Sequence, residues 1–87
     1  MWILKFSEHA RQQLLSMDRV VASLIIGFLK RNLENQKDPR RIGGPFKGKR
    51  QDQWRYTFGD YHILCSFENM SIVVFVINHS HSFSIHK

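Results

Sequence analysis

The chain has 87 residues, 43% of them hydrophobic and 13% aromatic, and carries a formal net charge of +6. That length holds one hydrophobic core, so residues 1–87 read as a single domain, and the apolar content excludes an intrinsically disordered chain. No run of about 18 apolar residues occurs, which excludes a membrane-spanning helix. The opening MWILKFSEHARQQ has no small-residue cleavage site, so a signal peptide is not expected and the predicted location is the cytoplasm. Cys65 is the lone cysteine. It offers no intramolecular disulfide, as suits a reducing compartment, and within an apolar strand pattern it reads as a small buried hydrophobe, not a nucleophile.

In chain order, Ile3, Leu4 and Phe6 predict a short first strand. Ser7 then reads as an N-cap with Glu8 in the first turn of a helix ending near Met17. Asp18 is placed to cap a second helix, in which Val21, Leu24, Ile25, Phe28, Leu29 and Leu33 recur at spacings of three and four. Gly27, inside that stripe, is expected to let the second helix pack closely on the first. Residues 36–53, QKDPRRIGGPFKGKRQDQ, break both periods and read as a connector with turns. Beyond it the pattern turns to strands: Trp54–Phe58, Tyr61–Phe67, Ser71–Asn78 and a short Ser82–His86. The predicted fold is α+β, a two-helix N-terminal hairpin packed on a mostly antiparallel sheet of four to five strands.

Gly59-Asp60 is a two-residue hairpin loop with glycine at its first position, pairing Phe58 with Tyr61, Thr57 with His62, Tyr56 with Ile63 and Arg55 with Leu64. Period two sends Trp54, Tyr56, Phe58, Tyr61, Ile63 and Cys65 to the helix side, and Arg55, Thr57 and His62 to the other. A turn at Glu68–Ser71 would pair Phe67 with Ile72. Val73, Phe75, Ile77, His79 and His81 are then expected on the face of His62, with His86 folding back beside them.

The positive charge is concentrated. Lys37, Arg40, Arg41, Lys47, Lys49, Arg50 and Arg55 fall within residues 37–55, opposed only by Asp38 and Asp52. Such a cluster points to a polyanion partner. Arginine grips phosphate through a planar fork, and histidine moves protons near neutrality. Arg55 with His62, His81 and His86 therefore fits RNA cleavage by attack of a 2′-hydroxyl on the adjacent phosphate, with Lys47, Lys49, Arg50, Arg40 and Arg41 holding the RNA. His79-x-His81 could share a metal, yet no carboxylate or cysteine stands at a convincing spacing, so no metal and no cofactor are expected. Trp54 and Tyr56 could stack bases, but their predicted facing favours the core.

The run from DPRRIGGPFKGKRQDQWRYTFGDYHILCSF through SIVVFVINHSHSFSIH resembles the RelE/ParE toxin superfamily over essentially the whole chain. The fairly specific part is Trp-Arg-Tyr-x-x-Gly-Asp-Tyr at residues 54–61. The resemblance implies a toxin of a two-component toxin–antitoxin system: RelE-like members cleave messenger RNA on the ribosome, and ParE-like members inhibit DNA gyrase without catalysis. Residue by residue, Arg55 and Lys47 match basic positions of the family. Thr57 and His62 stand where further basic residues are usual, His81 matches a histidine followed in the family by arginine (here Ser82), and His86 replaces a near-terminal tyrosine. The implied partners are a cognate antitoxin, the ribosome and its mRNA, or gyrase in the alternative. An acidic antitoxin segment is expected on the basic stretch, with Phe75 or Ile77 as apolar anchors.

Overall fold

The computed structural model describes residues 2–45 and 53–80. Strand β1 (Ile3–Phe6) leads into helices α1 (Glu8–Ser16) and α2 (Arg19–Leu33), a 3₁₀ turn at Pro39–Arg41, and strands β2 (Gly44–Pro45), β3 (Gln53–Phe58), β4 (Tyr61–Glu68) and β5 (Ser71–His79). Both helix starts are capped as expected. The Ser7 hydroxyl accepts from the Ala10 N–H at 3.1 Å, and one Asp18 carboxylate oxygen accepts from Val20 and Val21 at 3.0 and 3.2 Å. Each satisfies donors that the first helical turn leaves without an intrahelical partner. No helix among the described residues is long and apolar enough to cross a membrane.

The five strands form one sheet in the order β1-β5-β4-β3-β2. All neighbours are antiparallel except β1 and β5, which run parallel from the Ile3–Ser71 pair to the Phe6–Val74 pair. Both helices cover one face of the sheet. Ala10 and Leu14 from α1 and Ile25, Leu29 and Leu33 from α2 bury against Tyr56, Ile63, Cys65, Phe67, Ile72, Val74 and Ile77. The α+β prediction therefore holds, with β2 as an addition too short to register in a sequence pattern. The expected strand at Ser82–His86 lies outside the described residues. Gly27 does not serve close helix packing, since a Cβ there would meet only the Arg31 guanidinium, at 3.1 Å.

β1 accompanies only the first half of β5. Past Val74, α1 takes its place. Gln13 donates from its side-chain amide to the Ile77 carbonyl and accepts from the Ile77 N–H, both at 2.8 Å, and the Ser7 hydroxyl donates to the Phe75 carbonyl at 3.2 Å. Two side chains thus do for the outer edge of β5 what a neighbouring strand would do, and leave less of it open to pairing.

The β4–β5 register departs from simple alternation at one point. Phe67 pairs with Ile72, as the turn predicted, but a bulge between Leu64 and Cys65 pairs them with Val76 and Val74 and leaves Phe75 as the extra residue. A bulge shifts every later side chain on its strand to the opposite face. Ile77 and His79 therefore lie on the helix side, not beside His62 as expected. Ile77 is buried, and the His79 ring meets that of Tyr61 at 4.6 Å between centroids.

Cys65 is fully buried in the core, and desolvation pushes its thiol up to about 12. Burial also raises the Tyr56 phenol. Both folded-state values lie above the unfolded ones, near 8.5 for a thiol and 10 for a phenol, so both groups stay protonated in the fold after the unfolded chain has released its protons. Stability should be at its full value below about pH 8.5 and decline as pH rises toward 12. Urea titrations at a series of alkaline pH values should show that decline, with a shallower slope between about pH 9 and 10 in a Cys65→Ala variant. Equal slopes for the two proteins would contradict the assignment to Cys65.

Candidate functional site

The β3–β4 hairpin has the register its Gly-Asp loop predicted: Phe58–Tyr61, Thr57–His62, Tyr56–Ile63 and Arg55–Leu64. Gly59 has φ +57°, which glycine adopts without strain. Arg55, Thr57 and His62 consequently share the face away from the helices. Arg55 and Thr57 are exposed, while His62 is half-buried. Thr57 lies directly opposite His62, its hydroxyl 3.4 Å from His62 Nδ1. Arg55 is the diagonal neighbour of His62, at the spacing of about 7–8 Å that a long side chain spans. On the far side of His62, β5 contributes Asn78. Sequence reasoning missed Asn78 because only the bulge brings it to this face; the polar residue ending an apolar strand was the available signal.

The arginines split between the two faces. Arg40, in the 3₁₀ turn, lies on the helix side, its guanidinium 4.0 Å from the centroid of the Phe67 ring and 5.9 Å from that of Trp54. The turn is pinned beneath the sheet by the Tyr56 hydroxyl, which donates to the Pro39 carbonyl at 2.7 Å, and by Trp54 Nε1, which donates to the Ile42 carbonyl at 2.8 Å. These bonds show that both aromatics serve the core and its edge. Arg41 is exposed on the same turn. The structure thus does not bring Arg40 together with Arg55, contrary to the expectation of one continuous basic face. Lys47, Lys49, Arg50, His81 and His86 lie outside the described residues.

Gly43 and Gly44 connect this turn to the site. Gly44 pairs with Arg55 as part of β2. Gly43, at φ +77°, sits so tightly that a Cβ would fall onto the Arg55 carbonyl oxygen, 2.7 Å from Trp54 Nε1 and 2.9 Å from Tyr56 Cδ1. The backbone carrying Arg55 is therefore held by the clasp beneath it. Chemically, the open face combines a permanent cation able to fork onto a phosphate, an imidazole able to exchange a proton, and a hydroxyl and an amide able to hydrogen-bond.

A second surface lies at the other edge of the sheet. Between β1 and the helices runs a groove of about 570 Å³, lined by Leu4, Phe6, Leu14, Leu15 and Ile26 and flanked by Lys5 and Arg11. Leu15 stays exposed, although α1 otherwise turns its apolar side inward.

The fold is that of known toxins. The chain is similar to the toxin–antitoxin complex RelBE2 from Mycobacterium tuberculosis, with 19% identity over 90% of each chain and a TM-score of 0.77. It is also similar to the isolated RelE toxin of E. coli, with 16% identity over 98% of this chain and 96% of that one and a TM-score of 0.71. The Methanococcus jannaschii RelB-RelE antitoxin–toxin complex is similar at 18% identity, over 95% and 98% of the two chains, with a TM-score of 0.63. At such identities the likeness is one of fold. A comparison with curated proteins gives no match. The sequence model of the family described as "ParE toxin of type II toxin-antitoxin system, parDE" matches residues 4–82, nearly the whole chain. The chain belongs to this family, and so to the RelE/ParE toxin superfamily of type II toxin–antitoxin systems.

Proposed function

We propose that this toxin is a ribosome-dependent endoribonuclease that cuts messenger RNA without a metal. The observation that carries the reading is the placement of Arg55 and His62 as diagonal neighbours on the open face of the sheet. In the proposed reaction the 2′-hydroxyl of one nucleotide attacks the adjacent phosphorus and the bond to the 5′-oxygen breaks. The products are a 2′,3′-cyclic phosphate and a 5′-hydroxyl. Arg55 and Lys47 grip the phosphate and offset charge gathering on its oxygens. His62 gives a proton to the departing 5′-oxygen, a role His81 could share, and His86 takes the proton of the attacking hydroxyl. Lys49, Arg50 and Arg41 would add to the attraction for RNA and ribosome by their charge.

The family match itself favours a second reading, inhibition of DNA gyrase by protein contact alone, and Thr57, Ser82 and His86 stand where the family usually has other functional groups. Expression in a bacterium separates the two. Translational arrest with message decay is the expected result, whereas a DNA-damage response with intact messages would move the chain to the gyrase branch. We further assign a cognate antitoxin as partner, in keeping with the neighbouring structures. Ile77 is buried and cannot anchor it as the sequence suggested. The apolar groove between β1 and the helices, with Lys5 and Arg11 at its rim, suits an acidic amphipathic segment better.

A further inference from the structure

We infer that Thr57 is a positioning residue: its hydroxyl accepts a hydrogen bond from His62 Nδ1–H and so makes Nε2 the nitrogen that exchanges protons. The inference rests on the proposed reaction for its purpose but not for its geometry. Thr57 and His62 are directly opposed in the hairpin, and the hydroxyl stands 3.4 Å from Nδ1. A β-branched side chain on a strand has little χ1 freedom, so the hydroxyl is a fixed partner in a way a serine or a longer polar chain is not. Which ring nitrogen carries the proton is set by the bond the other nitrogen makes.

The consequence for proton transfer is direct. In the charged ring Nδ1–H donates to Thr57 Oγ1, and Nε2–H is free to be given to a leaving oxygen. When that proton has gone, the neutral ring keeps Nδ1–H in the same bond. One hydrogen bond therefore persists through the transfer, and the ring need not turn. Arg55, two residues before Thr57 on the same strand, and Asn78, opposite His62 on β5, flank the ring. Both side chains carry donors suited to a phosphate oxygen. Threonine at a position that is usually basic in the family thus has a role of its own, because it works with the histidine that replaces a second basic residue.

The test is nitrogen NMR of the His62 ring in the full chain at a pH where it is neutral. The free side chain prefers the Nε2–H tautomer, and the expected result is a switch to Nδ1–H in the wild type. Thr57→Val should restore the solution preference, and Thr57→Ser should retain much of the wild-type state. The cleavage assay should show kcat lowered about 10-fold to 100-fold by Thr57→Val with KM little changed. A wild-type ring already in the Nε2–H form, or a tautomer unmoved by Thr57→Val, would overturn the inference whether or not RNA is cut. An Nδ1–H ring in a protein that cuts nothing would count against the proposed reaction and leave the positioning role standing.

Discussion

Replacing Gly43 with alanine is expected to remove about 2–4 kcal/mol of stability, among the largest losses available to a single methyl group in this chain. Two costs combine. At φ +77° an alanine enters the left-handed region, which costs roughly 1–2 kcal/mol. The added Cβ also lands on the Arg55 carbonyl oxygen and within 3 Å of Trp54 and Tyr56 atoms. Backbone cannot swing aside as a flexible side-chain end can, so β2 or β3 must shift, at a further cost of about 1–2 kcal/mol. Thermal unfolding should move down by roughly 10–20 °C for a domain of this size. Gly44→Ala is the matched control, since a Cβ there meets nothing within 4 Å, and it should stay within about 0.5 kcal/mol of the parent. Equal stabilities for the two variants would mean that the clasp beneath Arg55 is looser than described.

Arg55 and Arg40 should respond oppositely to removal. Arg55→Ala is expected to lower cleavage by about 10²–10³-fold, the loss typical when a donor to a charged transition state is deleted. Its exposed position should leave stability within about 0.5 kcal/mol. Arg40→Ala should do the reverse. It removes an exposed guanidinium stacked on Phe67 and near Trp54, an interaction of about 0.5–1 kcal/mol, while cleavage per folded molecule stays near that of the parent. Paired urea titrations and cleavage rates check both. If Arg40→Ala cut activity as deeply as Arg55→Ala at unchanged stability, the guanidinium would belong to the RNA surface after all.

This contrast shows where sequence reasoning reached and where it stopped. The β3–β4 register was legible because a two-residue loop with glycine at its first position permits one pairing, and that pairing places Arg55, Thr57 and His62 together. Both helix starts were legible because Ser7 and Asp18 act within three residues of themselves. The bulge was not. Residues 72–77 are all apolar, so no polar side chain marks where alternation breaks; Ile72 and Val74 face the helices as the Phe67–Ile72 pairing implied, but the burial of Ile77 emerges only from the folded register. That omission put His79 and Ile77 on the wrong face and hid Asn78. The role of Arg40 was equally hidden. Among neighbouring basic residues it reads as one more surface charge, and its true partner, Phe67, is 27 positions away in sequence. The parallel pairing of β1 with β5 joins the two ends of the described chain, which local periodicity cannot report.

The central claim, that the open face of the hairpin carries RNA chemistry, is tested most directly by adding the purified toxin to ribosomes programmed with a defined message and mapping the ends of the RNA. The expected result is cuts in phase with the codons, 2′,3′-cyclic phosphate and 5′-hydroxyl termini, and loss of the cuts with Arg55→Ala or His62→Ala. Intact message across the neutral pH range, from folded protein at stoichiometric ratio to ribosomes, would contradict it.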